Sequence, residues 1–311
     1  MKPKVMDLFA GCGGFSYGFA KSGFEITSFV EIWQPAIDTF LKNHPNTKHL
    51  GYDITKIKNS EIEKYRGKID LIIGGPPCQG FSMAGKRNPD DKRNQLYKEF
   101  LRFVKIIEPK VVVIENVKGI LSMNDLDNEK VINKIIHELI KNNYFISYKL
   151  LNSSDYCVPQ NSERVVLIAK KMDLFPKENN AKVSVIDSVM DLPYEANELN
   201  GHLLFNPTKE IIKRIKNLNH GERLSSKFNF SRMRIHPDKP SPTVSTKPLF
   251  IHPIYDRLMT PRELARLQSF PDSFEFTGSK TAMVKQIGNA VPPLMAEVIA
   301  SNLRRKMQCE E

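Results

Sequence analysis

Two short runs of this chain combine residue types and spacing that chemistry would need. The first is Gly74-Gly75-Pro76-Pro77-Cys78-Gln79-Gly80-Phe81-Ser82, which follows the apolar run Ile69 to Ile73. Prolines and glycines fix an unusual backbone path around one cysteine at the end of a strand. A thiolate is the reactive form of cysteine, and a soft nucleophile of this kind suits covalent catalysis. A cysteine is otherwise a small buried hydrophobe, the reading kept for Cys12, Cys157 and Cys309. The second run is Ala10-Gly11-Cys12-Gly13-Gly14, between the strand-like Val5 to Phe9 and a helix. Glycines there let the backbone approach a ligand and leave helix N-terminal amides free. Glu31 ends the next strand, where an acidic side chain can bond ribose hydroxyls. Asp53, in Gly51-Tyr52-Asp53-Ile54, is placed to hold an adenine amino group. This spacing points to an adenosine-containing cofactor. It does not by itself separate S-adenosylmethionine from NAD.

Positioning these runs requires a sheet. The first 170 residues alternate apolar runs with helical stretches. Strands are expected at Val5 to Phe9, Ile26 to Glu31, Ile69 to Ile73, Val111 to Ile114 and Arg164 to Ala169. Helices are expected at Phe15 to Ser22, Trp33 to Asn43, Leu96 to Ile107 and Val131 to Lys141. Continuous apolar strands between helices indicate a mainly parallel sheet covered on both faces, a doubly wound α/β fold. Such sheets bind ligands at the carboxyl ends of their strands. From about residue 175 prolines recur and turns multiply, which predicts a smaller, irregular second domain. Leu294 to Lys306 reads as a final helix able to pack back on the first domain. The expected division is 1–175, 176–284 and 285–311.

The composition is that of a globular protein, with 41% hydrophobic and 26% charged residues among 311. Lys plus Arg number 46 against 35 Asp plus Glu, a net charge of +11. A surplus of that size suits a polyanionic partner. No apolar run is long enough to span a membrane. The four cysteines include no Cys-x-x-Cys pair, so neither a disulfide framework nor a zinc site is expected. A reducing cytoplasm is the expected compartment, and a monomer the expected state.

Taken together, Asp7-Leu8-Phe9-Ala10-Gly11-Cys12-Gly13-Gly14-Phe15 and Gly75-Pro76-Pro77-Cys78-Gln79-Gly80-Phe81-Ser82 resemble the DNA cytosine-5 methyltransferases. Glu115-Asn116-Val117, Gln160 to Arg164, Pro240 to Val244, Arg262 to Pro271 and Gln286 to Pro293 match further motifs of that family in order. The resemblance covers nearly the whole chain and implies an S-adenosylmethionine-dependent, Rossmann-like fold. It implies Cys78 as the nucleophile toward carbon 6 of cytosine, with methyl transfer to carbon 5. It implies Glu115 as the group holding a proton against ring nitrogen 3, and Arg164 as support for the cytosine carbonyl. Asn116 is expected to shape the turn. The cofactor pattern carries onto Phe9, Gly11, Gly13, Glu31, Asp53, Pro77, Leu96 and Asn289.

The substrate implied is duplex DNA with the target base flipped into the pocket. Ser82 and the polar stretch Met83 to Tyr97, with Lys86, Arg87 and Arg93, match the loop that closes over it. A partner restriction endonuclease acting on the same site is implied as well. Two departures stand out. Ser162 occupies the place of the first arginine in the family's Gln-x-Arg-x-Arg. The stretch between Lys170 and Arg232 is shorter than the variable recognition region of relatives. Leu203 to Phe230 is the expected reader, with Lys209, Lys213, Arg214, Lys216, Arg223 and Lys227 near phosphates. An RNA cytosine methyltransferase is a competing reading, but the transfer-RNA branch carries a Cys-Phe-Thr tripeptide absent here. A catalytically silent DNA-binding relative is another, kept open by Ser162.

Overall fold

A computed structural model describes residues 1–77, 95–125, 127–170, 175–179, 181–197, 199–225 and 231–308. Its first half alternates strand and helix: β1 (Lys4–Leu8), α1 (Gly14–Lys21), β2 (Glu25–Val30), α2 (Gln34–Asn43), β3 (Lys48–Gly51), the single turn α3 (Asn59–Ile62), β4 (Leu71–Gly74), α4 (Leu96–Ile107), β5 (Val111–Val117), α5 (Val131–Lys141), β6 (Ile146–Asn152) and β7 (Glu163–Ala169). These strands form one sheet in the order β3-β2-β1-β4-β5-β7-β6. Pairings among β1 to β5 are parallel, and β7 runs antiparallel to both β5 and β6.

Side-chain alternation explains why these strands are apolar throughout. On one face Val5, Leu71, Ile73, Val111 and Val113 pack with Phe15, Phe19, Phe40, Ile299 and Leu303. On the other, Met6, Leu8, Ile72, Val112 and Ile114 pack with Phe100, Phe103, Val131 and Ile135. A fully buried side chain of this size stabilises by roughly 1.5–3 kcal/mol. In α4, Tyr97, Phe100, Phe103, Val104 and Ile107 are buried at helical spacing. Two strands were not expected from the sequence. Both β3 and β6 lie at sheet edges and bury little: β3 has no fully buried residue, and in β6 only Leu151 is fully buried.

The remaining elements are α6 (Val185–Val189), α7 (Lys209–Lys216), β8 (Met233–Arg234), β9 (Phe250–Ile251), α8 (Pro261–Leu267), α9 (Lys280–Asn289) and α10 (Pro293–Gln308). β8 and β9 form a two-stranded parallel ribbon. Two buried side chains replace the regular ladder that prolines deny this region. Arg262 is fully buried and donates to the carbonyls of Asn200 at 2.6 Å, Pro271 at 3.0 Å and Phe274 at 2.7 Å. Arg257 grips Glu263 through two bonds of 2.9 and 2.6 Å.

α10 returns to lie on α1. A Cβ on Gly18 would fall 2.5 Å from the Ala296 Cβ, so only glycine permits this approach. Ser22 Oγ donates to the Glu297 carbonyl at 3.0 Å along the same seam. No described helix is long and apolar enough to cross a membrane.

Candidate active site

The chain winds from β1 outward to β3, then returns to β4 on the other side of β1. The carboxyl ends of β1 and β4 therefore flank the switch point of the sheet, with Leu8 paired to Gly74. Ligands of doubly wound sheets sit at this crevice. Both runs singled out from the sequence begin there, the glycine loop after β1 and Gly75-Pro76-Pro77 after β4. Cys78 follows Pro77 in the chain but lies outside the described residues, as do Ser82, Lys86, Arg87, Arg93 and Lys227.

The glycine loop is built on left-handed backbone, with φ of 61° at Phe9, 56° at Gly11 and 93° at Gly13. Glu31, just past β2, accepts from the Gly11 amide at 2.8 Å and the Trp33 amide at 2.9 Å. One carboxylate thus ties the loop to β2 and retains lone pairs for further donors. Asp53 accepts from Thr55 through its amide at 3.0 Å and hydroxyl at 2.7 Å. Those Thr55 bonds hold Asp53 below the usual carboxylate range, so it stays ionised. Its second oxygen has no partner among the described residues.

Phe9 and Leu96 are both half-buried against the Met6–Leu8 face of the core, and Pro77 is also half-buried. Ile32, two-thirds exposed immediately after Glu31, was not singled out from the sequence. Its exposure is set by the fold, so the sequence carried no signal for it. Asn289 is exposed at the end of α9, and its segment adjoins the glycine loop. Cys12 Sγ donates to the Gln286 carbonyl at 3.7 Å, and burial pushes its thiol up to about 12. That keeps Cys12 protonated and structural. Beneath the loop, buried Asp7 accepts from Ser16 Oγ at 2.6 Å, and its other oxygen has no partner among the described residues. Burial raises the Asp7 carboxyl to about 8.

Glu115 sits one residue past Ile114, which pairs with Gly74. Because β7 is antiparallel, its first residues lie at the carboxyl end of the parallel strands. Arg164 is opposite Val117, and Glu115 opposite Val166. The diagonal brings Arg164 Nε to 2.8 Å from Glu115 Oε1. Burial raises the Glu115 carboxyl above its ordinary value, and Arg164 opposes that shift in part. A Cβ on Gly75 would stand 3.2 Å from Glu115 Oε2, so the turn leading to Cys78 runs directly over this carboxyl. Asn116 Nδ2 donates to the Pro76 carbonyl at 2.9 Å and pins the same turn.

Other positions stand apart. Arg223 is exposed and donates to the Ser231 carbonyl at 2.9 Å; no described contact links it to the crevice. Ser162 is buried, and its hydroxyl has no partner among the described residues.

The geometry can hold an adenosine-bearing ligand over β1 and β2, and places a buried carboxyl of raised proton affinity beside the turn that leads to Cys78. Comparison with known proteins gives this arrangement its context. The model of the family described as C-5 cytosine-specific DNA methylase matches residues 3–305. Type II methyltransferase M.DdeI of Desulfomicrobium norvegicum is 35% identical, over 96% of this chain and 88% of its own length. Type II methyltransferase M1.HphI of Haemophilus parahaemolyticus is 37% identical, over 96% and 86%. A solved structure described as a candidate DNA modification methyltransferase from an E. coli prophage superposes with a TM-score of 0.85 at 30% identity, covering 99% of this chain and 100% of its own. A match that runs through both halves of the crevice, from the glycine loop to the helix bearing Asn289, means that this chain belongs to the C-5 cytosine-specific DNA methyltransferase family.

Proposed function

We propose that the protein transfers a methyl group from S-adenosylmethionine to carbon 5 of a flipped-out cytosine in a specific duplex DNA site, through a covalent adduct with Cys78. The buried Glu115–Arg164 pair beside the Gly75–Pro77 turn is the observation that carries this reading. Carbon 5 of cytosine is a weak nucleophile. Addition of the Cys78 thiolate to carbon 6 forms an S–C bond and pushes electrons to carbon 5. Glu115 holds a proton against ring nitrogen 3 as that charge develops, a task that suits a carboxyl whose proton affinity burial raises. Arg164 holds Glu115 in place and supports the cytosine carbonyl. S-Adenosylmethionine supplies an electrophilic methyl group on a sulfonium sulfur. A base then removes the carbon 5 proton, the freed pair restores the double bond between carbons 5 and 6, and the bond to Cys78 breaks with its electrons leaving on sulfur.

The crevice fits that cofactor by its donor and acceptor chemistry. Glu31, already oriented by two amides, accepts from the ribose hydroxyls. Ionised Asp53 accepts from the adenine amino group, Gly11 and Gly13 let the loop backbone approach the ligand, and Phe9, Ile32, Pro77 and Leu96 cover the adenine ring. Asn289 closes the site from α9. Residues 1–175 and 285–311 would then form the catalytic unit, and 176–284 the part that reads DNA. Within that part, the exposed cations of α7 and Arg223, with Lys227, meet phosphates, and Ser82, Lys86, Arg87 and Arg93 close over the flipped base. The type II relatives support a modification role beside a restriction endonuclease.

The test is transfer of label from S-adenosylmethionine to mixed-sequence duplex DNA and to RNA. Label recovered as 5-methylcytosine in DNA is the expected result. Label in RNA alone, or in neither with the cofactor bound, would refute the reading.

A further inference from the structure

A helix leaves its last carbonyls without intrahelical donors. At the end of α9 the Ile287 carbonyl accepts from the Ala290 amide of the cap at 3.2 Å and also from a side chain outside the helix. Gln268 Nε2 donates to the Ile287 carbonyl at 3.0 Å and to the Ala290 carbonyl at 2.8 Å, spanning Asn289 between them. Gln268 Oε1 accepts from Gln160 Nε2, and Gln160 Oε1 accepts from the Val244 amide at 2.7 Å. Both glutamines are fully buried. A buried amide is costly unless its bonds are made, whereas methionine of similar volume would fill the same space without that demand. Filling space therefore does not account for the pair; fixing the carbonyls does. The clamped segment rides on the glycine loop, since a Cβ on Gly14 would lie 2.6 Å from the Val291 carbonyl and 3.3 Å from the Ala290 Cβ.

We infer that Gln268 is a positioning residue for methyl transfer: its amide clamps the end of α9 so that Asn289 faces the cofactor, and Gln160 fixes the orientation of that amide. The inference rests on the cofactor reading proposed above. Gln160 also lies in the connection between β6 and β7, four residues before Arg164, so one buried amide pair ties the cofactor side of the crevice to the Glu115–Arg164 side.

The test is equilibrium binding of S-adenosylmethionine to the full chain. Wild type, Gln268→Met, Gln160→Met, Asn289→Ala and the Gln268→Met/Asn289→Ala double variant are compared, with thermal midpoints measured alongside. Losing two neutral hydrogen bonds is expected to weaken binding by on the order of 10-fold in Gln268→Met. The double variant is expected to bind no more weakly than Asn289→Ala, because Gln268 acts through Asn289. Gln160→Met keeps both carbonyl clamps and is expected to lose less. A lower midpoint with unchanged affinity in Gln268→Met would reduce the residue to packing and overturn the inference. Additive losses in the double variant would overturn it too. Should Gln268→Met not fold, Gln268→Asn, whose amide is too short to span both carbonyls, takes its place in the same cycle. Wild type that binds no S-adenosylmethionine would overturn the cofactor reading and this inference together; wild type that binds, with variants that bind as well, overturns this inference alone.

Discussion

Glu115 and Asp7 are both buried carboxyls with raised proton affinity, yet their surroundings give them different work. Glu115 has Arg164 at 2.8 Å and opens onto the turn before Cys78. Replacing it by glutamine keeps the shape and removes the transferable proton. Glu115→Gln is expected to lower kcat by about 10²–10⁴-fold, the usual worth of a general acid, with cofactor affinity unchanged. Steady-state kinetics beside a binding titration would check this, and unchanged kcat would remove Glu115 from the chemistry. Among the described residues Asp7 bonds Ser16 alone and keeps one unpartnered oxygen. Its carboxyl titrates near 3.8 when exposed and about 8 in the fold. The folded state thus holds an extra proton between these values. That contribution to stability is complete below pH 3.8 and is lost as pH rises through about 8. Asp7→Asn carries no such proton. Denaturant unfolding should show the variant gaining on wild type between pH 5 and 8, and parallel pH curves would contradict the assignment.

At the scale of elements, legibility followed burial. Strands β1, β2, β4, β5 and β7 are apolar because two helix layers cover both faces, so their sequences stand out. The edges β3 and β6 bury little; Lys48-His49-Leu50-Gly51 and the mixed Ile146 to Asn152 have no pattern that burial would enforce. Missing β6 also hid the antiparallel direction of β7, which is what carries Arg164 to the Glu115 end of the sheet. The proline-rich second half was legible only as irregular. Its order comes from buried guanidinium and amide bonds, such as those of Arg262 and Gln268, whose partners lie in segments that periodicity does not link. In the site, Glu31 could be placed from its distance to Gly11, whereas Ile32 and the Gln160–Gln268 pair depend on folded contacts. One helix contact is directly testable. Gly18→Ala forces a Cβ into Ala296 and the α10 backbone. Overpacking of this kind is expected to cost about 1–3 kcal/mol, read from the denaturant midpoint. An unchanged midpoint would mean that α10 is not seated on α1 this closely.

The whole molecule carries a net charge of +11, and α7 presents Lys209, Lys213 and Lys216 as exposed cations. Phosphate contacts release counterions, so DNA affinity should fall steeply and linearly in log–log form with salt. Replacing one phosphate-contacting lysine, with Lys213→Gln as the first trial, is expected to weaken binding to all sequences alike and reduce the slope by about 1. A variant that changed sequence preference instead would make Lys213 a base reader. The covalent role of Cys78 is the claim on which the account depends most. The direct measurement uses duplex DNA with 5-fluorocytosine at the methylated position, incubated with S-adenosylmethionine and wild type or Cys78→Ser. Fluorine cannot leave as a proton does, so the final elimination is blocked. The account predicts a denaturation-resistant protein–DNA adduct with wild type and none with Cys78→Ser. An adduct that survives in Cys78→Ser, or methyl transfer by wild type with no adduct, would contradict it.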